Sequence, residues 1–390
     1  MFAANSLGSF MDSTVILLFI VGCALLIAGA EMLVNHASFL ALAFGISPLV
    51  IGLTIVAYGT SAPELVVSVQ SSYDGLGDLA VGNLVGSNIA NVLLILGISS
   101  VVTPLVVSRK IIRLEVPLLI GISITTMAMA WNGNIGRLEG MILFLGALIY
   151  TGFIIYQSRR EESEDARIAA LDLDAPPAIA LERPRKGQIA IRLGWIVVSF
   201  AMLVLGSRSL VYSASAIARS LGFSELIIGL TIVAVGTSLP ELATSVMASI
   251  KGEKDIAIGN VIGSNIFNIL FVMGVCSMIA PEGLPIALPA LRFDIPVMVA
   301  VAIACLPIFF TGGIVDRWEG LLFLGYYLAY TSYLVFNATQ HDSIELFSTL
   351  VLALVALLTL VALMDWIMRM LRASKLAQRR QRRKELDDVE

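Results

Sequence analysis

Two carboxylic acids with near-identical surroundings are the residues best placed to do chemistry. Glu64 lies in GLTIVAYGTSAPELVVS (52–68), and Glu241 lies in its copy GLTIVAVGTSLPELATS (229–245). Both segments are apolar, and neither carries a basic residue near its centre. An ionised side chain deep in a membrane is costly unless it is paired or solvated. The missing partner charge therefore predicts that a bound cation compensates the glutamates.

Hydroxyls and backbone carbonyls near these acids complete an all-oxygen ligand set. A threonine precedes each glutamate by four residues, so the two side chains would share a helix face. A proline before each glutamate clashes with a glycine carbonyl four residues earlier, and the break frees backbone oxygens. Oxygen ligands suit a hard cation such as Ca²⁺ rather than zinc or copper. The ligand candidates are Thr60 and Thr237, the hinge candidates are Gly59, Pro63, Gly236 and Pro240, and Ser61 and Ser238 are secondary candidates because they point off the glutamate face.

A second duplicated motif supplies a row of amides and hydroxyls. GNLVGSNIANVLLILG (82–97) is copied as GNVIGSNIFNILFVMG (259–274). Polar residues recur every four positions and so line one helix face, while glycines four apart let helices approach closely. The alternatives are structural acids, threonines bonded to their own helix, and asparagines that only join helices. The candidates are Ser87, Ser264, Asn91 and Asn268, with Asn83 and Asn260 as secondary ones, and the packing glycines are Gly82, Gly86, Gly259 and Gly263.

The two motifs belong to a longer internal repeat. Residues 45–97 align with 222–274 at a constant offset of 177, and 31 of the 53 positions are identical. RLEVP and GRLEG in the first half are echoed by RFDIP and DRWEG in the second. Each half contains five apolar spans, and an odd number makes the second half enter the membrane from the opposite side. The ion site of such inverted repeats lies near the midplane between the halves.

Composition places these spans in a lipid bilayer. The 390 residues are 58% hydrophobic and 14% charged, whereas soluble domains are about 25% charged. The predicted fold class is an all-α polytopic membrane protein, with two inverted five-helix repeats and one extra C-terminal transmembrane helix. The predicted spans are roughly 13–35, 45–70, 78–102, 113–131, 137–157, 189–217, 222–250, 255–279, 292–311, 317–337 and 345–371. The predicted organisation is a first repeat (1–157), a cytoplasmic linker (158–190), a second repeat (191–340), an accessory helix (341–372) and a basic tail (373–390).

The distribution of basic residues predicts the orientation. With the N-terminus outside, the inner segments hold 21 of the 25 Lys and Arg residues and the outer segments hold 3. The positive-inside rule therefore favours an outer N-terminus and a cytoplasmic C-terminus in the cell (inner) membrane. The first residues lack the basic start of a secretory signal, so the first span is expected to be retained.

Several other functions are disfavoured. Cys23, Cys276 and Cys305 lie in apolar runs without Cys-x-x-Cys spacing, which argues against a zinc site or disulfide framework. The two histidines, His36 and His341, lie near predicted helix ends, so a histidine metal site is not expected. No GxxxxGK[ST] loop occurs, and neither a cofactor, a nucleotide nor a nucleic-acid partner is predicted. An intramembrane protease would use paired aspartates or a Ser/His pair, whereas the buried acids here are glutamates.

The quoted motifs resemble the paired alpha repeats of the calcium/cation antiporter superfamily, and most of all the prokaryotic sodium/calcium exchangers. The resemblance covers roughly residues 1–340. It implies ten helices in two inverted halves, and a sliding of the first and sixth helices (13–35 and 189–217) that switches access. It further implies ion binding by Glu64, Thr60, Ser87, Asn91, Glu241, Thr237, Ser264 and Asn268 and by the backbone carbonyls of Ala57 and Ala234.

Charge counting favours exchange of unlike cations. Two ionised glutamates are neutralised by one Ca²⁺ or by two Na⁺, so the predicted function is Ca²⁺/Na⁺ antiport. A proton/calcium exchanger that uses the glutamates as proton carriers is the main alternative. A passive channel is less favoured, because a symmetric filter does not need two inverted acids in one chain. Asn268 stands where some members of the superfamily have an aspartate associated with potassium, and its absence disfavours potassium co-transport. The eleventh span departs from the ten-helix pattern, and the sequence leaves the oligomeric state open.

Overall fold

The computed structural model describes residues 13–171, 186–310 and 313–339, together with Thr349 and Met364. This part of the chain forms two similar halves of six helical segments each. The first half contains α1 (Ser13–Phe44), α2 (Pro48–Thr60), α3 (Ala62–Tyr73), α4 (Gly77–Val102), α5 (Ile111–Asn132) and α6 (Arg137–Leu171). The second contains α7 (Lys186–Ser220), α8 (225–236), α9 (Leu239–Ile250), α10 (Lys254–Ile279), α11 (290–310) and α12 (Arg317–Ala338). Four short strands are β1 (Leu105–Val106), β2 (Asn134–Ile135), β3 (Leu284–Pro285) and β4 (Ile314–Val315).

The helices confirm the predicted all-α membrane architecture. Seven of the described helices are long and apolar enough to cross a membrane, and the bent pair α2 and α3 makes an eighth span. The pair α8 and α9 is the repeat equivalent of α2 and α3, and α11 is the equivalent of α5. The predicted eleventh span (345–371) lies outside the described residues, apart from Thr349 and Met364.

Two helices are longer than the apolar pattern indicates. α6 continues to Leu171 and α7 already begins at Lys186, so both extend into the segment predicted as a linker (158–190). The added part of α6 is rich in Glu, Arg and Ala, which favour helix in water as well as in lipid. Hydropathy therefore marks the end of the membrane span but not the end of the helix. Residues 172–185 lie outside the described part of the chain.

The strand pairs establish that the halves are inverted. β1 pairs with β4, and β2 pairs with β3, each in antiparallel register. We call the corresponding ends of the molecule the β1–β4 face and the β2–β3 face. α4 leads into β1, whereas its repeat equivalent α10 leads into β3. Equivalent helices thus run toward opposite faces, as the odd number of spans per half requires.

The outer echoes of the repeat join neighbouring helices. The Tyr150 hydroxyl on α6 donates to Glu115 Oε2 on α5 at 2.6 Å. In the second half, the Tyr330 hydroxyl on α12 donates to Asp294 Oδ1 on α11 at 2.9 Å. The acids of RLEVP and RFDIP therefore tie the outer helices of each half together.

The predicted glycine stripes pack in one half only. Gly259 and Gly263 on α10 lie against α2, so that a Cβ built at Gly263 would be 2.7 Å from Leu53 Cα. Their equivalents on α4, Gly82 and Gly86, have open space: a Cβ there meets no described atom within 4 Å. The close approach predicted for both stripes is thus found for α2 on α10, whereas α8 stands away from α4.

The two helices predicted to slide are packed against each other. A Cβ built at Gly22 on α1 would lie 2.9 Å from the backbone nitrogen of Leu210 on α7. A Cβ at Gly206 would lie 2.9 Å from the Gly22 carbonyl oxygen. Backbones this close leave no room for independent rotation, so α1 and α7 form one packed unit.

Candidate ion-binding site

Both motif helices break immediately before the proline. Ser61 has φ −81° and ψ 11°, and Ser238 has φ −88° and ψ 7°, which are not helical values. α2 and α3 are consequently bent by 49°. Thr60 and Glu64 therefore lie in different helical segments and do not share one helix face as expected, because the break associated with Pro63 falls between them. Each threonine ends one segment, and each glutamate lies in the first turn of the next.

The predicted hinges both contact α7. The Ser207 hydroxyl donates to the Gly236 carbonyl at 2.5 Å, so a side chain of α7 satisfies the backbone oxygen that Pro240 frees. At the other break, the Phe200 ring lies so close to Gly59 that a Cβ there would be 1.9 Å from the ring. The hinges are thus held by the helix that the family resemblance expects to move.

The carbonyls expected as ligands differ in their surroundings. Ala57 is fully buried on α2, and its carbonyl accepts hydrogen bonds from the Ser61 N–H at 3.0 Å and from the Thr60 hydroxyl at 3.3 Å. Ala234, its equivalent on α8, is exposed. The two halves therefore present these carbonyls differently in this conformation.

The two glutamates lie at the centre of the molecule and are buried, with exposures of 1% for Glu64 and 0% for Glu241. Glu64 Oε1 accepts hydrogen bonds from Ser238 at 2.9 Å and from Ser87 at 3.4 Å. Glu241 Oε1 accepts one from Ser61 at 2.7 Å. Ser61 and Ser238 do point off their own glutamate, but each donates to the glutamate of the opposite half.

The threonines and the secondary asparagines also pair across the halves. The Thr60 hydroxyl lies 3.1 Å from Asn260 Oδ1, and the Thr237 hydroxyl lies 3.2 Å from Asn83 Oδ1. Each asparagine amide then donates to a serine hydroxyl of its own half at 2.9 Å. Thr60 also lies within hydrogen-bond distance of the Val56 carbonyl, at 3.1 Å. Thr60 therefore contacts both a carbonyl of its own helix and an asparagine of the opposite half, so the two interpretations of this threonine do not exclude each other.

Two asparagines that we did not predict join the halves behind the glutamates. Asn91 donates to Asn265 Oδ1 at 2.9 Å, and Asn268 donates to Asn88 Oδ1 at 3.3 Å. The Asn265 amide also reaches the Asn88 backbone carbonyl at 3.2 Å. Asn88 and Asn265 are identical in the two copies and precede the predicted asparagines by three residues. The repeat therefore contained the signal that identifies them.

Several buried oxygens of the predicted ligand set lack donors. Buried polar atoms are normally hydrogen-bonded, and leaving one unpaired costs free energy. The Ser264 hydroxyl is one of these atoms. Among the described residues no cluster of three or more His, Cys, Asp or Glu side chains occurs, so the negative charge here comes from the two glutamates. The unpartnered atoms are Glu64 Oε2, Glu241 Oε2, Asn91 Oδ1, Asn268 Oδ1 and Ser264 Oγ.

The two sides of the site are covered to different extents. A cavity of about 250 Å³ lies beside Thr237, between α3, α7 and α8. Its walls include Val67 and Tyr212, which follow the site along α3 and α7 toward the β2–β3 face. Thr237 is half-buried, whereas its equivalent Thr60 is only 1% exposed and lies under α2 and Phe200. The site is therefore less covered toward the β2–β3 face, which we call the open face, than toward the β1–β4 face, which we call the closed face.

Comparison with known proteins identifies the family. Residues 14–156 and 191–336 match the family model described as "Sodium/calcium exchanger protein". The chain belongs to the sodium/calcium exchanger family. The inner membrane protein YrbG of Escherichia coli is 37% identical over 289 residues, which are 74% of this chain and 87% of YrbG. The sodium/calcium exchanger MaX1 of Methanosarcina acetivorans is 32% identical over 339 residues, covering 80% of this chain and 96% of MaX1.

A solved structure confirms the fold of this exchanger-family chain. The sodium-calcium exchanger NCX_Mj, soaked with Na⁺ and Sr²⁺, superimposes with a TM-score of 0.69 and 27% sequence identity, over 83% of this chain and 99% of NCX_Mj. The predicted family is therefore confirmed. The family consists of cation antiporters in membranes, which are transporters and not enzymes. The exchanger family transports Ca²⁺ and Na⁺ without a cofactor.

Proposed function

We propose that this chain exchanges Ca²⁺ for Na⁺ across the cell membrane and binds both ions between Glu64 and Glu241. The proposal rests on one observation: each glutamate is buried, uses one oxygen for hydrogen bonds from the opposite half, and leaves Oε2 without a partner. Two such oxygens carry the charge that one Ca²⁺ or two Na⁺ would neutralise. The neutral oxygens around them match the preference of these hard cations.

The neighbouring side chains complete the proposed coordination. The amide and hydroxyl oxygens without donors would turn toward the ion, because a cation replaces the hydrogen bonds that they lack. The threonine hydroxyls donate to asparagine side-chain oxygens, so their own oxygens could contact an ion while the hydroxyl hydrogens remain bonded. The proposed ligands are Glu64, Glu241, Thr60, Thr237, Ser87, Ser264, Asn91 and Asn268, with the carbonyls of Ala57 and Ala234.

Transport would proceed by alternating access. The cavity beside Thr237 lies toward the β2–β3 face in one state, and the inverted repeat allows a second state open toward the β1–β4 face. We assign the β2–β3 face to the outside and both the linker and the C-terminus to the cytoplasm, because this orientation places the basic residues inside. The description of YrbG as an inner membrane protein supports the same location for this chain.

Substitution of the glutamates tests the site. Glu64→Gln and Glu241→Gln keep the side-chain shape but remove half of the compensating charge each. We expect Ca²⁺ uptake into proteoliposomes to fall by more than roughly 100-fold, a loss at least as large as that typical of altered metal sites. Glu282→Gln removes an acid from a surface turn and should transport normally. Near-normal uptake by both site variants would refute the assignment.

Defined gradients separate sodium coupling from proton coupling. An outward Na⁺ gradient should drive Ca²⁺ uptake into proteoliposomes, and collapse of a pH gradient should leave the rate unchanged. Uptake that follows the pH gradient and ignores Na⁺ would instead establish a proton/calcium exchanger. Loss of counterflow, in which unlabelled Ca²⁺ on one side stimulates flux of labelled Ca²⁺ from the other, would indicate a channel.

A further inference from the structure

An ion pair ties α1 to the closed β1–β4 face. Lys251, in the turn between α9 and α10, donates to Glu31 Oε1 on α1 at 2.9 Å and to Asn35 Oδ1 at 2.7 Å. The turn lies at the β1–β4 face, because α10 starts there and runs toward β3. The contact thus holds α1, and with it the packed α7, against the turn between α9 and α10 on the side where the site is closed.

The repeat contains the mirror-image pair with both charges exchanged. The offset of 177 continues through α1 and α7, where Gly29, Leu33 and Val34 match Gly206, Leu210 and Val211. At this offset Glu31 corresponds to Arg208, and Lys251 corresponds to Asp74. An acid has become a base in one position and a base has become an acid in the other. Each change alone would produce repulsion between like charges, whereas the two together preserve the attraction.

The second pair is apart in the observed conformation. Asp74 accepts a hydrogen bond from Gln70 of its own helix at 2.8 Å, and Arg208 lines the cavity beside Thr237. The described residues contain no ion pair between Arg208 and Asp74. Asp74 follows α3 at the β2–β3 face, which is the open face. The pair that is formed therefore lies on the closed side, and the pair that is not formed lies on the open side.

We propose that Glu31–Lys251 and Arg208–Asp74 are alternative ion-pair latches that set the balance between the two access states. Because α1 and α7 pack as one unit through Gly22 and Gly206, a shift that separates the first pair brings the second together. The observed pair is partly exposed, with side-chain exposures of 24% for Lys251 and 53% for Glu31, so its contribution is expected to be modest. The proposal rests on the alternating access proposed above, and it identifies the positioning residues that stabilise each state.

Neutralising each latch should shift the balance in opposite directions. Glu31→Gln destabilises the state open to the β2–β3 face, so the Ca²⁺ concentration for half-maximal exchange should rise on that face and fall on the other. Arg208→Gln should do the reverse. We expect shifts of roughly two- to fivefold, the range given by a partly exposed ion pair. Labelled Ca²⁺/Ca²⁺ exchange in everted and right-side-out vesicles measures both sides without any Na⁺ or H⁺ gradient, so an error in the coupling ion does not affect the result.

Controls distinguish a latch from a general structural role. Glu253→Gln removes an acid from the same turn as Lys251 and should shift neither concentration. The double variant Glu31→Lys/Lys251→Glu restores the attraction and should return both concentrations toward wild type. Shifts of Glu31→Gln and Arg208→Gln in the same direction, or no rescue by the exchanged pair, would overturn the proposal.

Cross-linking detects the second latch directly. In a chain with Cys23, Cys276 and Cys305 replaced by Ala, Asp74→Cys/Arg208→Cys should be joined by a short bifunctional thiol reagent while Ca²⁺ exchange is running, and exchange should then stop. Glu31→Cys/Lys251→Cys should be joined in the observed conformation, with the same loss of exchange. Glu31→Cys/Asp74→Cys, whose positions lie at opposite faces, is the control that should not react. A failure of the 74–208 pair to react during active exchange would contradict the latch.

Discussion

At the scale of single residues, the site depends on pairs that belong to different halves. Ser61 and Glu241 are separated by 180 positions in the chain, and Ser238 and Glu64 by 174, yet each pair is hydrogen-bonded. These bonds hold one carboxylate oxygen and leave the other turned away from any donor among the described residues. The glutamates and threonines could be predicted as candidates, because polar and ionisable side chains in an apolar span are costly and usually have a function. Their partners could not, because hydrogen bonds across halves depend on how the halves dock.

The hydrogen bonds that Asn91 and Asn268 make with Asn265 and Asn88, which we call the asparagine bridge, give a prediction at this scale. Asn265→Ala removes the oxygen that accepts from the Asn91 amide, so that this side chain is no longer held in place. We expect the Ca²⁺ concentration for half-maximal exchange to rise about tenfold, in line with the loss of one buried hydrogen bond. Ser123→Ala is the matched control. Ser123 lines the same small cavity as Asn88 and Asn265, but its hydroxyl donates to the Leu119 carbonyl of its own helix. An unchanged Asn265→Ala exchanger would show that the bridge does not orient the site.

At the scale of helices, equivalent elements are in different environments. α2 is packed onto the glycine stripe of α10, whereas α8 leaves the stripe of α4 uncovered. The sequence predicts the same close approach for both, because the stripes are identical in pattern. Only one can be covered when the site is closed on one face and open on the other, so the difference records the access state.

A pair of equivalent glycine substitutions tests this interpretation. In Gly263→Ala the new methyl group would meet the Leu53 backbone at 2.7 Å, and we expect a loss of about 1–3 kcal/mol of stability, as for other overpacked sites. In Gly86→Ala the methyl group meets no described atom within 4 Å, so thermal unfolding in detergent should be unchanged. Exchange by Gly86→Ala should nevertheless slow, because α8 must approach α4 when the β2–β3 face closes. Equal unfolding temperatures for the two variants would contradict the asymmetry.

At the scale of the whole molecule, the ion is expected to hold the two halves together. The proposed ligands come from both halves, so a cation bound between them would connect the two halves. A ligand that binds only the folded state stabilises it by an amount that grows with its concentration, about 2.7 kcal/mol at 100 times Kd. The ion should therefore contribute to stability as well as to transport.

Thermal unfolding with and without Ca²⁺ measures this contribution. The wild-type chain in detergent should unfold at a clearly higher temperature in saturating Ca²⁺ than in chelator. The double variant Glu64→Gln/Glu241→Gln should show no such difference, whereas Glu282→Gln should behave as wild type. A Ca²⁺-dependent rise that persists in the double variant would place the stabilising ion elsewhere.

The sequence alone determined the fold class and the inversion of the halves, and it singled out two acids that the structure buries between those halves. These features follow from local properties: apolar runs long enough to span a bilayer, an odd number of spans per half, and carboxylates without partners in those runs. It wrongly placed Thr60 and Glu64 on one helix face, and it predicted a close approach at both glycine stripes where the structure has only one.

The tertiary structure alone decided which side chains meet across the halves and which face is open. Asn88 and Asn265, the crossed serine bonds and the position of Lys251 against Glu31 all depend on the register between the halves. That register is set by the packing of α2 on α10 and of α1 on α7, which involves backbones far apart in the chain. The repeat in the sequence shows that the two halves have similar residues at equivalent positions. Only their packing shows which helix is covered and which is exposed in a given state.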